Sequence, residues 1–194
     1  MQLANNDELD TFLKIHPSIK MMEVLMIDMN GIIRCKRIPR SEFAELFTEG
    51  LKSPVSTVLL NVKGEFCDEL DKADLDGDPD RLIRPIKNTL SIIPWLESET
   101  AQVLSTFTEL DGEPNLFDSR NVLINSLKPL YALGLKLVVA TELEFYLIKS
   151  GDSSRPEPLL SKIPGTNRDQ PGIQYAMPED LWDHDQFLDD VRSA

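Results

Sequence analysis

The sequence has little that would build a disulfide scaffold, a membrane anchor or a nucleic-acid surface. Only two cysteines occur, Cys35 and Cys67, with no CxxC or Cys/His cluster around them. They read as reduced, buried thiols of a cytoplasmic protein. Two histidines, His16 and His184, stand isolated, so no HExxH metal site is written. No apolar run reaches the length of a membrane span, and the polar, acidic stretch Met1 to Asp10 is not a signal peptide. Basic residues are outnumbered 20 to 33 by acids, giving a net charge of −13, which argues against nucleic acids and anionic membranes as partners. There is no P-loop, no GxGxxG after a strand and no GxSxG turn. Repeats and low-complexity tracts are absent.

What remains is a chain of 194 residues, 41% hydrophobic, enough for one large domain or two small ones. Asp7 to Ile15 is a helix candidate, with Leu9, Phe12 and Leu13 on one face and Pro17 stopping the run. Glu23 to Met29 and Ile32 to Ile38 are strands joined by Asn30-Gly31, a strong short hairpin signal. Ser41 is placed to cap a helix whose stripe is Phe43, Leu46 and Phe47, with Gly50 at its C-terminal end. Val55 to Asn61, β-branched and apolar, predicts a third strand. Thr89 to Ile93 and Gln102 to Thr108 predict two more. A ββα unit that returns to its own sheet is the β-grasp pattern, so the fold class is α+β with an N-terminal β-grasp (ubiquitin-like ββαβ) domain.

The acidic run Asp74 to Asp80 is not an EF-hand loop. With Gly77 at position 6, Lys72 and Ile83 fall where ligands belong, and a solvated turn is the expectation. Asp111-Gly112-Glu113-Pro114 marks a turn and a domain boundary, dividing 1–112 from 113–194. Asp118 caps a helix lined by Val122, Leu123, Leu127, Leu130 and Tyr131, and Gly134 ends it. Residues 150–170 read as a loop excursion. Asp185 to Arg192 predicts an amphipathic helix at which the chain stops, as though this were the front of a longer protein.

Between these lies Leu135 to Ile148, expected to be one long strand. Side chains repeat every two residues in a strand, so Glu142 and Glu144 share a face, roughly 6.5 Å apart along it. Two such carboxylates either line a wet sheet face or share a hard divalent cation, Mg²⁺ or Mn²⁺.

The chain resembles the glutamine synthetase family, and within it the glutamylpolyamine (γ-glutamylputrescine) synthetase-like branch. The resemblance runs from about Met22 onward. It rests on Asp28-Met29-Asn30-Gly31 with Arg34 to Pro39, Asp78-Pro79-Asp80, Pro85 with Thr89-Leu90, and Ile93-Pro94-Trp95. It continues through Ala101 with Val103-Leu104, Asp111 to Pro114, Asp118-Ser119-Arg120 and Thr141 to Leu147. Each motif is loose alone; the order and spacing are specific.

This resemblance implies a β-grasp domain followed by the incomplete start of a catalytic domain. Glu142 then matches a ligand of the metal at the ATP phosphates, and Glu144 a ligand of the metal near the substrate glutamate. The implied reaction phosphorylates the γ-carboxylate of glutamate with ATP, after which ammonia or an amine attacks the acyl phosphate. No residue is expected to act as nucleophile. Full-length relatives form homo-oligomeric rings. Where the family carries a Phe-Asp-Gly-Ser-Ser run after the grasp helix, Gly50 to Ser56 has no acid, which favours an amine over ammonia. The remaining metal ligands and ATP-binding arginines lie beyond this sequence, so the chain alone is expected to be inactive. The rival expectation is a non-catalytic interaction module that docks on a full-length subunit.

Overall fold

A computed structural model describes residues 1–66, 77–151, 154–173 and 175–193. The chain falls into two compact units, Met1–Leu137 and Val138–Ala194, each described here by itself.

The first unit is an α+β fold around one mixed sheet. Helix α1 (Asn6–Ile15) opens with the Asn5 side chain accepting the Glu8 N–H at 3.2 Å. Strands β1 (Met21–Ile27) and β2 (Ile33–Pro39) pair antiparallel, from Met21 opposite Pro39 to Ile27 opposite Ile33. A short 3₁₀ turn leads into helix α2 (Phe43–Thr48). Then come β3 (Leu51–Pro54), β4 (Asp80–Pro85), β5 (Ser91–Ile92) and β6 (Thr100–Thr108). The sheet order is β2-β1-β6-β4-β3, with β5 on β6. β1 and β6 run parallel at the centre, Met21 beside Thr100 and Leu25 beside Leu104.

β1 starts as an alternation, with half-buried Glu23 between buried Met22 and Val24, and then buries Val24, Leu25 and Met26 in succession. Met22, Val24 and Met26 are buried, as are Ala101, Val103 and Phe107 of β6. The buried face of α2 (Phe43, Leu46 and Phe47) completes the core with Leu9, Val58 and Ile83. Each fully buried side chain of this size contributes about 1.5–3 kcal/mol.

Gly50 follows α2 with φ +89°, and a Cβ there would sit 2.9 Å from the Ile83 carbonyl and 2.6 Å from Arg84 Cδ. Glycine is therefore required twice over, for its backbone conformation and for its close approach to β4.

Several expectations need correction. Val55–Val58 is a 3₁₀ turn rather than a strand. Pro54 precedes it, and the Asp78 carboxylate takes the Ser56 N–H at 3.1 Å, so local bonds replace a ladder. Ser41 lies inside the 3₁₀ turn and does not cap α2, whose first turn has no side-chain cap. Strand order at Thr89 to Ile93 is confined to Ser91–Ile92, since Thr89 Oγ1 instead bonds the Ile86 carbonyl at 2.7 Å. Cys35 is exposed, not buried, because β2 is an edge strand and Cys35 is on its outer face. The expectations for Cys67, Asp74 and Asp76 lie outside the described residues.

Helix α3 (Ser119–Ala132) closes the first unit, and Gly134 follows it at φ +73°. Asn121 is its buried residue, while Val122, Leu123 and Tyr131 are about half exposed. The second unit contains α4 (Pro178–Trp182) and α5 (Asp185–Ser193). Ser161 Oγ–H donates to the Asp180 carboxylate and the Lys162 N–H to Asp183 at 2.9 Å, fixing the preceding loop to α4. No helix of the described residues is long and apolar enough to cross a membrane.

Candidate functional site

Two buried carboxylates, Asp28 and Asp118, brace the first unit. Asp28 is 1% exposed at the end of β1. Its Oδ1 accepts the Asn30 and Ile32 N–H groups, both at 2.8 Å, and its Oδ2 faces Arg34 Nε at 2.9 Å and Nη2 at 2.8 Å. Burial pushes this carboxyl upward, but the Ile32 N–H, the Arg34 guanidinium and the Asn30 N–H outweigh it and hold it below the usual range. Asn30 Nδ2 in turn donates to the Leu60 carbonyl at 2.7 Å, tying the hairpin to the loop after the 3₁₀ turn.

Asp118 does two jobs. One carboxylate oxygen caps α3 through the Arg120 N–H at 2.8 Å. The other accepts from Thr106 Oγ1 and from the Phe107 N–H, both at 2.7 Å, on β6. Asn121 Nδ2 donates to the Phe107 and Asn115 carbonyls at 2.9 and 3.0 Å, and Asn115 Nδ2 to Glu109 at 2.6 Å. Glu109 also meets Arg81 of β4. The sequence marks Asp118 as a cap. It carries no signal for the second bond or for Asn115 and Asn121, because pairing across loops leaves no periodic trace.

From Gly134 the chain enters the segment that bears the predicted metal ligands. Residues 135–147 run without helix, turn or bend, but they form no strand ladder among the described residues. Pairing begins at Ile148, which bridges Pro158, with Leu159 N–H on the Leu147 carbonyl at 2.8 Å. The expected long strand is thus corrected to an extended segment paired only at its end. A strand exists only where another strand meets its amides and carbonyls, and composition cannot supply that partner.

Glu142 and Glu144 are both exposed. Phe145 packs edge-on against Phe187 of α5, centroids 6.0 Å apart. Phe145, Tyr146, Leu159, Ile173 and Phe187 help line a cavity of about 230 Å³ with His184 at its wall.

Among the described residues no group of three or more His, Cys, Asp or Glu side chains stands close enough to hold a metal ion. The two glutamates fit a hard divalent cation by donor chemistry. They would account for two of the six or so oxygens such an ion takes.

No protein-family model matches the chain. It is 34% identical over 145 residues to gamma-glutamylputrescine synthetase PuuA of Escherichia coli (strain K12), covering 75% of this chain and 30% of that protein. It is 33% identical over 132 residues to a glutamate–isopropylamine ligase of a Pseudomonas species, covering 66% and 28%. It is 27% identical over 151 residues to a glutamine synthetase of Mycolicibacterium smegmatis (strain ATCC 700084 / mc(2)155), covering 72% and 30%. The chain spans under a third of the length of these curated relatives.

The class these similarities define is that of glutamine synthetase-like ligases. With the motif order from Asp28 to Leu147, they place the chain in the glutamine synthetase family.

Proposed function

We propose that this chain is the N-terminal part of an ATP-dependent glutamate–ammonia or glutamate–amine ligase that works through a γ-glutamyl phosphate. The observation that carries the reading is the likeness to relatives named for joining glutamate to amines. Residues 1–112 are read as an N-terminal helix plus a β-grasp domain. The parallel β1–β6 pair flanked by antiparallel β2 and β4, with α2 packed in the core, supports this. Residues 113–194 are read as the start of the catalytic domain.

In the complete enzyme Glu142 and Glu144 hold Mg²⁺ or Mn²⁺ as carboxylate ligands and do not attack substrate. The chemistry such ions supply when bound is neutralisation of charge on the phosphoryl group passing from ATP to glutamate. Within the first unit, Asp118 locks α3 to β6. A cytoplasmic location and assembly as a homo-oligomer belong to the same reading. With two ligands in hand, the chain by itself binds Mn²⁺ weakly and forms no γ-glutamyl amide.

The test is a chimera in which this chain replaces the matched portion of gamma-glutamylputrescine synthetase. It should form γ-glutamyl amide from ATP, glutamate and putrescine. Glu142→Gln or Glu144→Gln should each lower that rate by at least about 100-fold, since even outer-shell changes cost 10–100-fold. A chimera indifferent to both substitutions would sink the metal assignment. Amide formation by the purified chain would sink the claim that it is inactive alone.

A second reading, an interaction module that docks on a full-length subunit, is favoured by the exposure of Val138 (91%) and Leu143 (87%).

A further inference from the structure

Helix α3 carries a polar stripe where it meets the rest of the first unit. Asn121, Ile124, Asn125 and Lys128 recur at the three- and four-residue spacing of one helical face. All four line a cavity of about 260 Å³, together with Thr108 at the end of β6. Leu3 and Pro114 are also in its wall. Three of the four helix residues are polar, although a helix ordinarily turns its apolar face inward.

Thr106 and Thr108 lie two residues apart on β6 and so share a face. The Thr106 hydroxyl donates to Asp118 at 2.7 Å. Thr108 is 5% exposed, and its hydroxyl has no partner among the described residues. A buried hydroxyl left unpaired is unfavourable, and this one belongs to the cavity wall. Asn121 commits its amide N–H groups to the Phe107 and Asn115 carbonyls. The side chains of Asn125 and Lys128 bond to no other described residue.

These groups define what would fit. Lys128 is the only charged side chain of the wall among the described residues, so the occupant is an anion. A carboxylate accepts from an ammonium, a hydroxyl and an amide at once. Leu3, Pro114 and Ile124 offer apolar surface that an inorganic anion would leave unused. The volume falls just below the ~300 Å³ at which ordinary ligand pockets begin, which limits the hydrocarbon part to a few carbons.

We propose that this cavity binds a short aliphatic monocarboxylate. Lys128, Asn125 and Thr108 hold the carboxylate, and the chain lies against Leu3, Pro114 and Ile124. The site is wholly within the first unit and uses neither Glu142 nor Glu144, so it stands independently of the ligase reading.

The probe is butanoate, titrated into the isotope-labelled whole chain and followed by amide chemical shifts. The amides of Thr108, Asn125 and Lys128 should shift together and saturate. A Kd of about 1–10 mM is the range open to a ligand of so few atoms. Lys128→Met should raise it at least tenfold, and Lys128→Arg, which keeps the charge, should recover most of the affinity. n-Butanol and inorganic phosphate should each bind at least tenfold more weakly than butanoate.

Thr108→Val separates binding from folding. It keeps the shape and removes a hydroxyl that has no partner, so the ligand-free chain should withstand urea at least as well as before. Its butanoate Kd should nevertheless rise about fivefold. Amides unmoved by butanoate would overturn the proposal. So would shifts that persist in Lys128→Met or that n-butanol reproduces at equal concentration. Phosphate binding as tightly as butanoate would reduce the site to a general anion contact and overturn it too. A Thr108→Val chain less stable than the parent would assign the hydroxyl to the fold and count against it.

Discussion

The Asp28–Arg34 pair offers the sharpest test of how the first unit is held. Asp28→Asn keeps an oxygen for the Asn30 and Ile32 N–H groups but removes the charge that faces Arg34 at 2.8 and 2.9 Å. It also sets an amide N–H against a guanidinium. Hydrogen bonds to charged groups are worth about 1.5–3 kcal/mol each. Arg34 keeps 22% of its side-chain surface and regains some water, which lowers the sum for the two bonds to about 3 kcal/mol. For a unit of this size that is about 10 °C in Tm.

Because the chain has two compact units, the transition must be followed in the first alone. A Trp182→Phe background leaves Trp95 fluorescence as the probe. A cycle with Arg34→Met should return a coupling of about 2 kcal/mol. The pH dependence fixes the cause. A carboxyl held below its ordinary value stabilises the fold above the unfolded-state pKa of about 3.9, and that contribution fades as pH falls through the lower folded value. The gap between wild type and Asp28→Asn should be full at pH 7 and narrow below about pH 4. A gap under about 1 kcal/mol, or one constant from pH 7 to pH 2.5, would refute the account.

Other expectations follow from the same structure. Gly50→Ala should destabilise the first unit by on the order of 3 kcal/mol, combining the left-handed backbone with the clash on β4; urea denaturation measures it. Asp118→Ala should cost a similar amount, roughly 3 kcal/mol, by losing the cap and orphaning the Phe107 N–H. Amide exchange at Phe107 and at the first turn of α3 should then accelerate together. In a Cys67→Ser background, Cys35 should alkylate more slowly at pH 8 than a free thiol. Partial desolvation beside β1 and the Glu23 charge push its thiol up despite the opposing Arg37 charge. Cys35 reacting as fast as free cysteine would count against it.

The residues that announced themselves in the sequence are those whose roles are local. Asn30-Gly31 had to be a turn, Gly50 a left-handed residue and Asp118 a cap, and the structure places all three so. The apolar residues after Glu23 pointed to a strand, and the structure sets that strand between β2 and β6. Elsewhere the answer depended on a distant partner. Val55 to Val58 have strand-forming side chains, yet Pro54 and the Asp78 carboxylate, remote in sequence, make a 3₁₀ turn there. Cys35 is apolar enough for a core but lies on an edge strand, and edges are chosen by topology. Glu142 and Glu144 were legible as neighbouring carboxylates, and the structure leaves both exposed. Their ladder was not legible, since a strand is a property of two segments and the sequence displays one.

The three hydrogen bonds accepted by Asp118 also bear on how this fold can vary. Thr108 bridges Pro114, the Asn115 N–H returns to Phe107, and Asp118 clasps Thr106 and Phe107. Residues 109–117 therefore form a closed ring anchored on one strand at both ends. Extra residues spliced in at Gly112 would swell outward at small entropic expense, about 0.6 kcal/mol per doubling of length, and leave the first turn of α3 where it is. Shortening the ring would drag that turn off the sheet.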